Sequence, residues 1–157
     1  MVRKTLREVV IDEMLPEDVP EVLAIEQVAF TTPWSGTLFM NEIYKPLSLP
    51  KVARAGGRIV GYICANQVLD EGHILNVTVH PEHRGQGMAR EMVRHIVGLL
   101  EERSCSVIYL EVRVSNEAAL RMYERAGFRM ITVRKRYYTS PEEDAVIMAL
   151  DLPAGKS

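Results

Sequence analysis

Cysteine is scarce in this 157-residue chain: Cys64 and Cys105 stand far apart, each in apolar surroundings. Neither has the close pairing that zinc sites and redox motifs need, so two reduced core thiols are expected. His73, His80, His83 and His95 do not recur at ligand spacing, and no metal is expected. Nor is the charge lopsided. Nineteen lysines and arginines face 21 aspartates and glutamates, a net charge of −2 that excludes the basic field behind non-specific nucleic-acid binding. No apolar run approaches the ~18 residues of a membrane span, and the opening MVRKTLREVVIDEM has no apolar signal core. A cytoplasmic protein without nucleic-acid or membrane partner is the expectation, with oligomeric state left open. There is no internal repeat, low-complexity tract or linker.

What is present suits one domain, with 47% hydrophobic and 25% charged residues. That domain is expected over 1–152, with a frayed tail at 153–157. In order, LREVVIDEM at 6–14 reads as a strand, and Pro16 opens a helix to about Phe30 carrying Val19, Val22, Leu23, Glu26 and Ala29 at helical spacing. Ser35 is the expected N-cap of a second, short helix. Residues 52–55 and 58–68 around Gly56-Gly57 read as a hairpin, followed by a strand at 73–79. A long amphipathic helix should run from Gly87 to Arg103. In VIYLEVRV, the period of two puts Ile108, Leu110, Val112 and Val114 on one face and Tyr109, Glu111 and Arg113 on the other. Ser115 or Asn116 then caps a helix that ends before Gly127, and 128–135 and 145–150 are the last strands, separated by RYYTSPEED. This order predicts an α/β fold, a mixed sheet of about six to seven strands with helices on both faces.

The element around which the chain is organised is RGQGMA, Arg84 to Ala89, between an apolar strand and a helix. The first turn of a helix leaves N–H groups unpaired and carries partial positive charge, and glycines let a ligand approach the backbone. It is neither G-x-x-x-x-G-K-[ST] nor G-x-G-x-x-G, which excludes a nucleotide P-loop and a dinucleotide fingerprint. It does match R/Q-x-x-G-x-G/A as Arg84-x-x-Gly87-x-Ala89, the acetyl-coenzyme A signature of the GNAT superfamily of N-acetyltransferases, which the chain resembles. The resemblance implies a single-domain GNAT fold. It also implies that Arg84, Gly85, Gln86, Gly87, Met88, Ala89 and Arg90 hold the pyrophosphate of acetyl-CoA through main-chain amides.

The block LEVRVSNEAALRMYERAGF at 110–128 is more diagnostic, and with PWS at 33–35 and RKRYYTSPEEDAVIMAL at 134–150 it resembles the branch that acetylates protein N-termini. An α-amino group, of reference pKa ~7.7 to 8.0, needs a base before it can attack a thioester, and the leaving thiolate is helped by an acid. The resemblance implies Glu111 as base and Tyr123 as acid, main-chain N–H groups of Val77, Thr78 and Val79 for the acetyl oxygen, and Asn116 for the pantetheine arm. On the residues alone, Glu111 could instead pair with Arg113, Tyr123 could be core, and Asn116 a plain N-cap. For the acceptor the resemblance implies the N-terminal alanine of a small-subunit ribosomal protein, bound as an extended peptide, with Trp34, Tyr137 and Tyr138 as groove residues. Trp34 could equally plug the core at a helix entry. Glu26, Glu42, Glu142, Glu143 and Asp144 are candidates for acidic walls, though each is also an ordinary surface charge. Acetylation of broader peptide N-termini or of a small amine, and a non-catalytic acyl-CoA sensor, are the competing functions.

Overall fold

The computed structural model describes residues 8–153. Seven strands form one open sheet in the order β1-β2-β3-β4-β5-β7-β6: β1 Val9–Glu13, β2 Lys51–Ala55, β3 Arg58–Val68, β4 Glu71–Val79, β5 Val107–Arg113, β6 Arg129–Tyr138 and β7 Glu143–Asp151. The four α-helices are α1 Val19–Ala29, α2 Gly36–Tyr44, α3 Met88–Glu102 and α4 Glu117–Arg125. β4 pairs with β5 in parallel over Glu71–His73 and Val107–Tyr109, whereas β1–β2, β2–β3, β5–β7 and β6–β7 are antiparallel, so the sheet is mixed. The chain divides into two compact units, one running to Cys64 and including Asn76–Val93, the other made of Ala65–Leu75 and the chain from Arg94 on.

In the first unit, β3 shows why helices lie on both faces. Its residues from Ile59 onward are buried one after another rather than alternately, as in a strand covered on both sides. Tyr62 points at Glu26 of α1, while a Cβ added at Gly61, on the opposite face, would meet Met92 of α3 at 3.1 Å. Pro16 opens a 3-10 turn, Pro16–Asp18, and α1 proper starts at Val19, burying Val22, Ile25 and Glu26. Ser35 caps α2 as expected, its hydroxyl accepting the Leu38 N–H at 3.2 Å.

In the second unit β5 is central. Ile108, Leu110 and Val112 are buried, and Tyr109, Glu111 and Arg113 are half-buried on the other face. Val114, expected on the apolar face, lies past the strand end and is exposed. The C-terminal half of α3 crosses so close to the start of β4 that a Cβ at Gly72 would lie 2.6 Å from Leu100. β6 is longer than expected and takes in Tyr137 and Tyr138, which the sequence had suggested for the connecting loop. The expected first strand is described from Val9, its earlier residues 6 and 7 lying outside the described part. Leu152, the last residue of the expected domain, is buried, and its N–H bonds to the Ser106 carbonyl at 2.9 Å. Both cysteines are buried free thiols, as expected.

Candidate active site

The first unit holds the glycine turn. Gly85 and Gly87 both have φ of 79°, a left-handed conformation that costs other residues energy. A Cβ added at either would meet nothing within 4 Å, so the turn stands open at the mouth of α3, where a diphosphate could lie against main-chain N–H groups. Gln86 and Arg90 are exposed, Ala89 is half-buried, and Met88 turns inward as the first helical residue. Arg84 folds back to donate from Nε to the Val79 carbonyl at 3.1 Å, tying the turn to the end of β4. His80, to which the sequence assigned no role, accepts the Glu82 N–H on Nδ1 and caps the short 3-10 turn Pro81–His83.

β4 next to this turn carries Val77, Thr78 and Val79. Thr78 is buried and its hydroxyl donates to Asn76 Oδ1 at 2.7 Å; the Asn76 amide donates to Glu26 Oε1 at 3.0 Å. Glu26 also accepts the Tyr62 hydroxyl at 2.7 Å and, on Oε2, the Trp34 N–H at 2.9 Å. Glu26 is therefore not an acidic groove wall: it is 1% exposed and saturated by protein donors. Glu42 is likewise buried, holding Ser48 and Lys45. Trp34 is half-buried with its ring 5.1 Å from that of Phe39, a packing role compatible with either of its two readings.

The second unit holds Glu111, two residues past the last β5 residue in the parallel ladder, Tyr109. Its Oε2 lies 2.8 Å from Nε2 of His73, the β4 residue opposite Tyr109. Diagonal neighbours on one sheet face are within reach of long side chains, which explains the contact. The bond to Glu111, followed by the attraction of Glu111 and Glu71, raises the His73 pKa against partial burial. The Arg113 pairing considered for Glu111 does not form; Arg113 instead binds Glu143 at 3.2 Å. Burial first, and then the charge of Glu111, push the Tyr137 phenol up. Tyr138 is pushed up to about 12, by burial first and then by Glu111.

Tyr123 of α4 is 6% exposed, edge-on to Phe128 at 5.5 Å, and its phenol is pushed up by burial and then by Tyr138. The core-packing reading of Tyr123 is thus realised. Asn116 is the N-cap of α4, its Oδ1 accepting the Ala119 N–H at 3.1 Å. The unit brings Glu111, Tyr137 and Tyr138 into one cluster and adds His73, which sequence reasoning missed. No residue pattern marks His73: its position follows from the β4–β5 register, set across a long connection. Among the described residues, no group of histidines, cysteines and carboxylates could hold a metal ion, and no helix is long and apolar enough to cross a membrane.

A model of the acetyltransferase (GNAT) family matches residues 18–128. The chain is 37% identical over 140 residues to the ribosomal protein bS18-alanine N-acetyltransferase of Escherichia coli, covering 86% of this chain and 92% of the relative. The enzyme of that name from Haemophilus ducreyi is 37% identical over 146 residues, covering 90% and 99%. The crystal structure of the ribosomal-protein-S18-alanine N-acetyltransferase from Escherichia coli superposes with a TM-score of 0.87 at 35% identity, over 96% of this chain and 98% of that one. An open glycine cradle at a helix mouth is what a phosphorylated coenzyme requires, and with these matches the chain belongs to the GNAT family of acetyl-CoA-dependent acetyltransferases.

Proposed function

We propose that this enzyme acetylates the α-amine of an N-terminal alanine, with a small-subunit ribosomal protein as acceptor, in the cytoplasm. The observation that carries the reading is the Glu111 site: a half-buried carboxylate bonded at 2.8 Å to the imidazole of His73, a group that itself exchanges protons. A coenzyme sensor has no use for such a cluster. The relatives' named substrate supports the acceptor assignment.

Acetyl-CoA, when bound, supplies an activated acetyl thioester. Arg84, Gly85, Gln86, Gly87, Met88, Ala89 and Arg90 would cradle its diphosphate, and the N–H groups of Val77, Thr78 and Val79 would meet the charge developing on the acetyl oxygen. Asn116 caps α4 with its oxygen, and its amide is assigned to the pantetheine arm. Glu111 takes the proton from the α-ammonium, directly or through one water. His73, 2.8 Å from Glu111, shares it: the bond to Glu111 raises the imidazole pKa, so the ring holds a proton more readily than a free one. Tyr123 is assigned to donate its phenolic proton to the leaving thiolate. Trp34, Tyr137 and Tyr138 are each assigned to the acceptor peptide.

The test is transfer from labelled acetyl-CoA to a peptide beginning with alanine and to the same peptide with a blocked N-terminus. Label on the free peptide alone is expected. Label on neither, with acetyl-CoA still bound, would overturn the α-amine assignment.

A further inference from the structure

One side chain two residues beyond Glu111 makes a set of contacts that the reaction as described does not use. Arg113, on the same face of β5 as Glu111, donates from Nη1 to the Pro141 carbonyl at 3.0 Å and to Glu143 Oε1 at 3.2 Å. From Nη2 it donates to the Thr139 carbonyl at 3.4 Å. The flat of the guanidinium lies 4.3 Å from the centre of the Tyr138 ring. The second oxygen of Glu143 accepts the Ser115 N–H at 2.7 Å, so the carboxylate that holds Arg113 also grips the start of the α4 cap.

These partners sit on the connection from β6 to β7, the segment that follows Tyr137 and Tyr138. That connection is exposed at Thr139, Ser140 and Pro141. A single planar cation binds two of its carbonyls together with a carboxylate and an aromatic ring at its two ends. The Tyr138 ring stands edge-on to Tyr137 at 5.0 Å, and the charge of Glu111 acts on both phenols. The path from Arg113 to the reacting carboxylate thus runs through two packed rings.

We propose that Arg113 is a positioning residue that fastens the 139–143 turn and the Tyr138 ring to the end of β5, and so sets how tightly the acceptor peptide binds beside Glu111. The inference rests on the reading that the acceptor meets the Glu111 cluster. It requires a guanidinium rather than a charge alone. A lysine ammonium is a point donor on a flexible stem and cannot stack flat on a ring while bridging two carbonyls and a carboxylate.

Arg113→Lys, Tyr138→Leu and their double variant test it by steady-state kinetics on an alanine-starting peptide. Arg113→Lys is expected to raise the peptide KM about tenfold while leaving the acetyl-CoA KM within about twofold, and Tyr138→Leu to do nearly the same. Because both act through one stack, the double variant should be no more than about threefold worse than either. An unchanged peptide KM in Arg113→Lys, or single effects that multiply fully, would overturn the proposal. Hydrogen exchange over 137–143 reads the fastening without turnover: faster exchange in Arg113→Lys is expected, and unchanged exchange would also overturn it. Should the wild type transfer nothing to the peptide, the functional reading fails, and exchange still decides whether Arg113 holds the turn.

Discussion

Glu26 and Glu111 are both glutamates set into regular structure, one in each compact unit, and they have opposite surroundings. Glu26 is 1% exposed and meets the Tyr62 hydroxyl, the Asn76 amide and the Trp34 N–H. None of these gives up a proton near neutral pH: burial and then the bond to Glu26 push the Tyr62 phenol far up, and the other two are amides. Glu111 has a side chain 20% exposed and is bonded to the imidazole of His73. A carboxylate held on both oxygens by fixed donors anchors structure, whereas one with solvent access and a titratable imidazole can pass protons. Two residues of one type are thus assigned different work by their partners.

The largest expected effect tests the second half of that contrast. Glu111→Gln should cut peptide acetylation by roughly 10²-fold or more at neutral pH with coenzyme affinity unchanged. Near-normal turnover in a stopped assay would remove Glu111 as base. Next comes Glu26→Gln, whose new NH2 must face either the Trp34 N–H or the Tyr62 and Asn76 donors. A loss of about 2 kcal/mol in urea unfolding is expected, with far less effect on turnover than Glu111→Gln. If its turnover fell as far as that of Glu111→Gln at saturating substrates, the contrast between anchor and base would collapse.

Gly87→Val should weaken coenzyme binding at least about tenfold by calorimetry, because a branched side chain is strained at this φ and would intrude on the proposed diphosphate cradle. Unchanged affinity would remove the turn from the coenzyme site.

The smallest effect concerns pH. His73 has a raised folded pKa, so the stability from its charged pair with Glu111 is full below the unfolded value of ~6.5 and is lost as pH rises through the folded pKa. His73→Gln should therefore melt below the wild type at pH 5.5, and the gap should narrow by pH 9. A gap that stayed constant or widened toward pH 9 would show that the charged pair contributes nothing.

Much of the fold was legible because its causes are local. The Ser35 and Asn116 caps, the glycine hairpin at 56–57 and the alternation of β5 follow from neighbours within a few residues, and each is found. Glu26 left a partial trace, since it fell on the apolar stripe of α1. A stripe position cannot say whether a carboxylate meets donors or solvent, and the acidic-wall reading failed on that point. Tyr137 and Tyr138 looked like loop residues beside a serine and a proline, yet β7 pairs with β6 as far as Tyr138, opposite Glu143.

By itself the sequence determined the family signature, the order of strands and helices, and which residue types could bind a coenzyme and move a proton, because those depend on composition and short spacing. Only the tertiary structure decided that Glu111 meets His73 rather than Arg113, that Arg113 holds the 139–143 turn, and that Glu26 closes on Tyr62 and Asn76. Those contacts depend on strand register and on chain crossings that span dozens of residues. Side-chain periodicity fixes which face a residue takes, but it carries no information about which neighbour stands opposite.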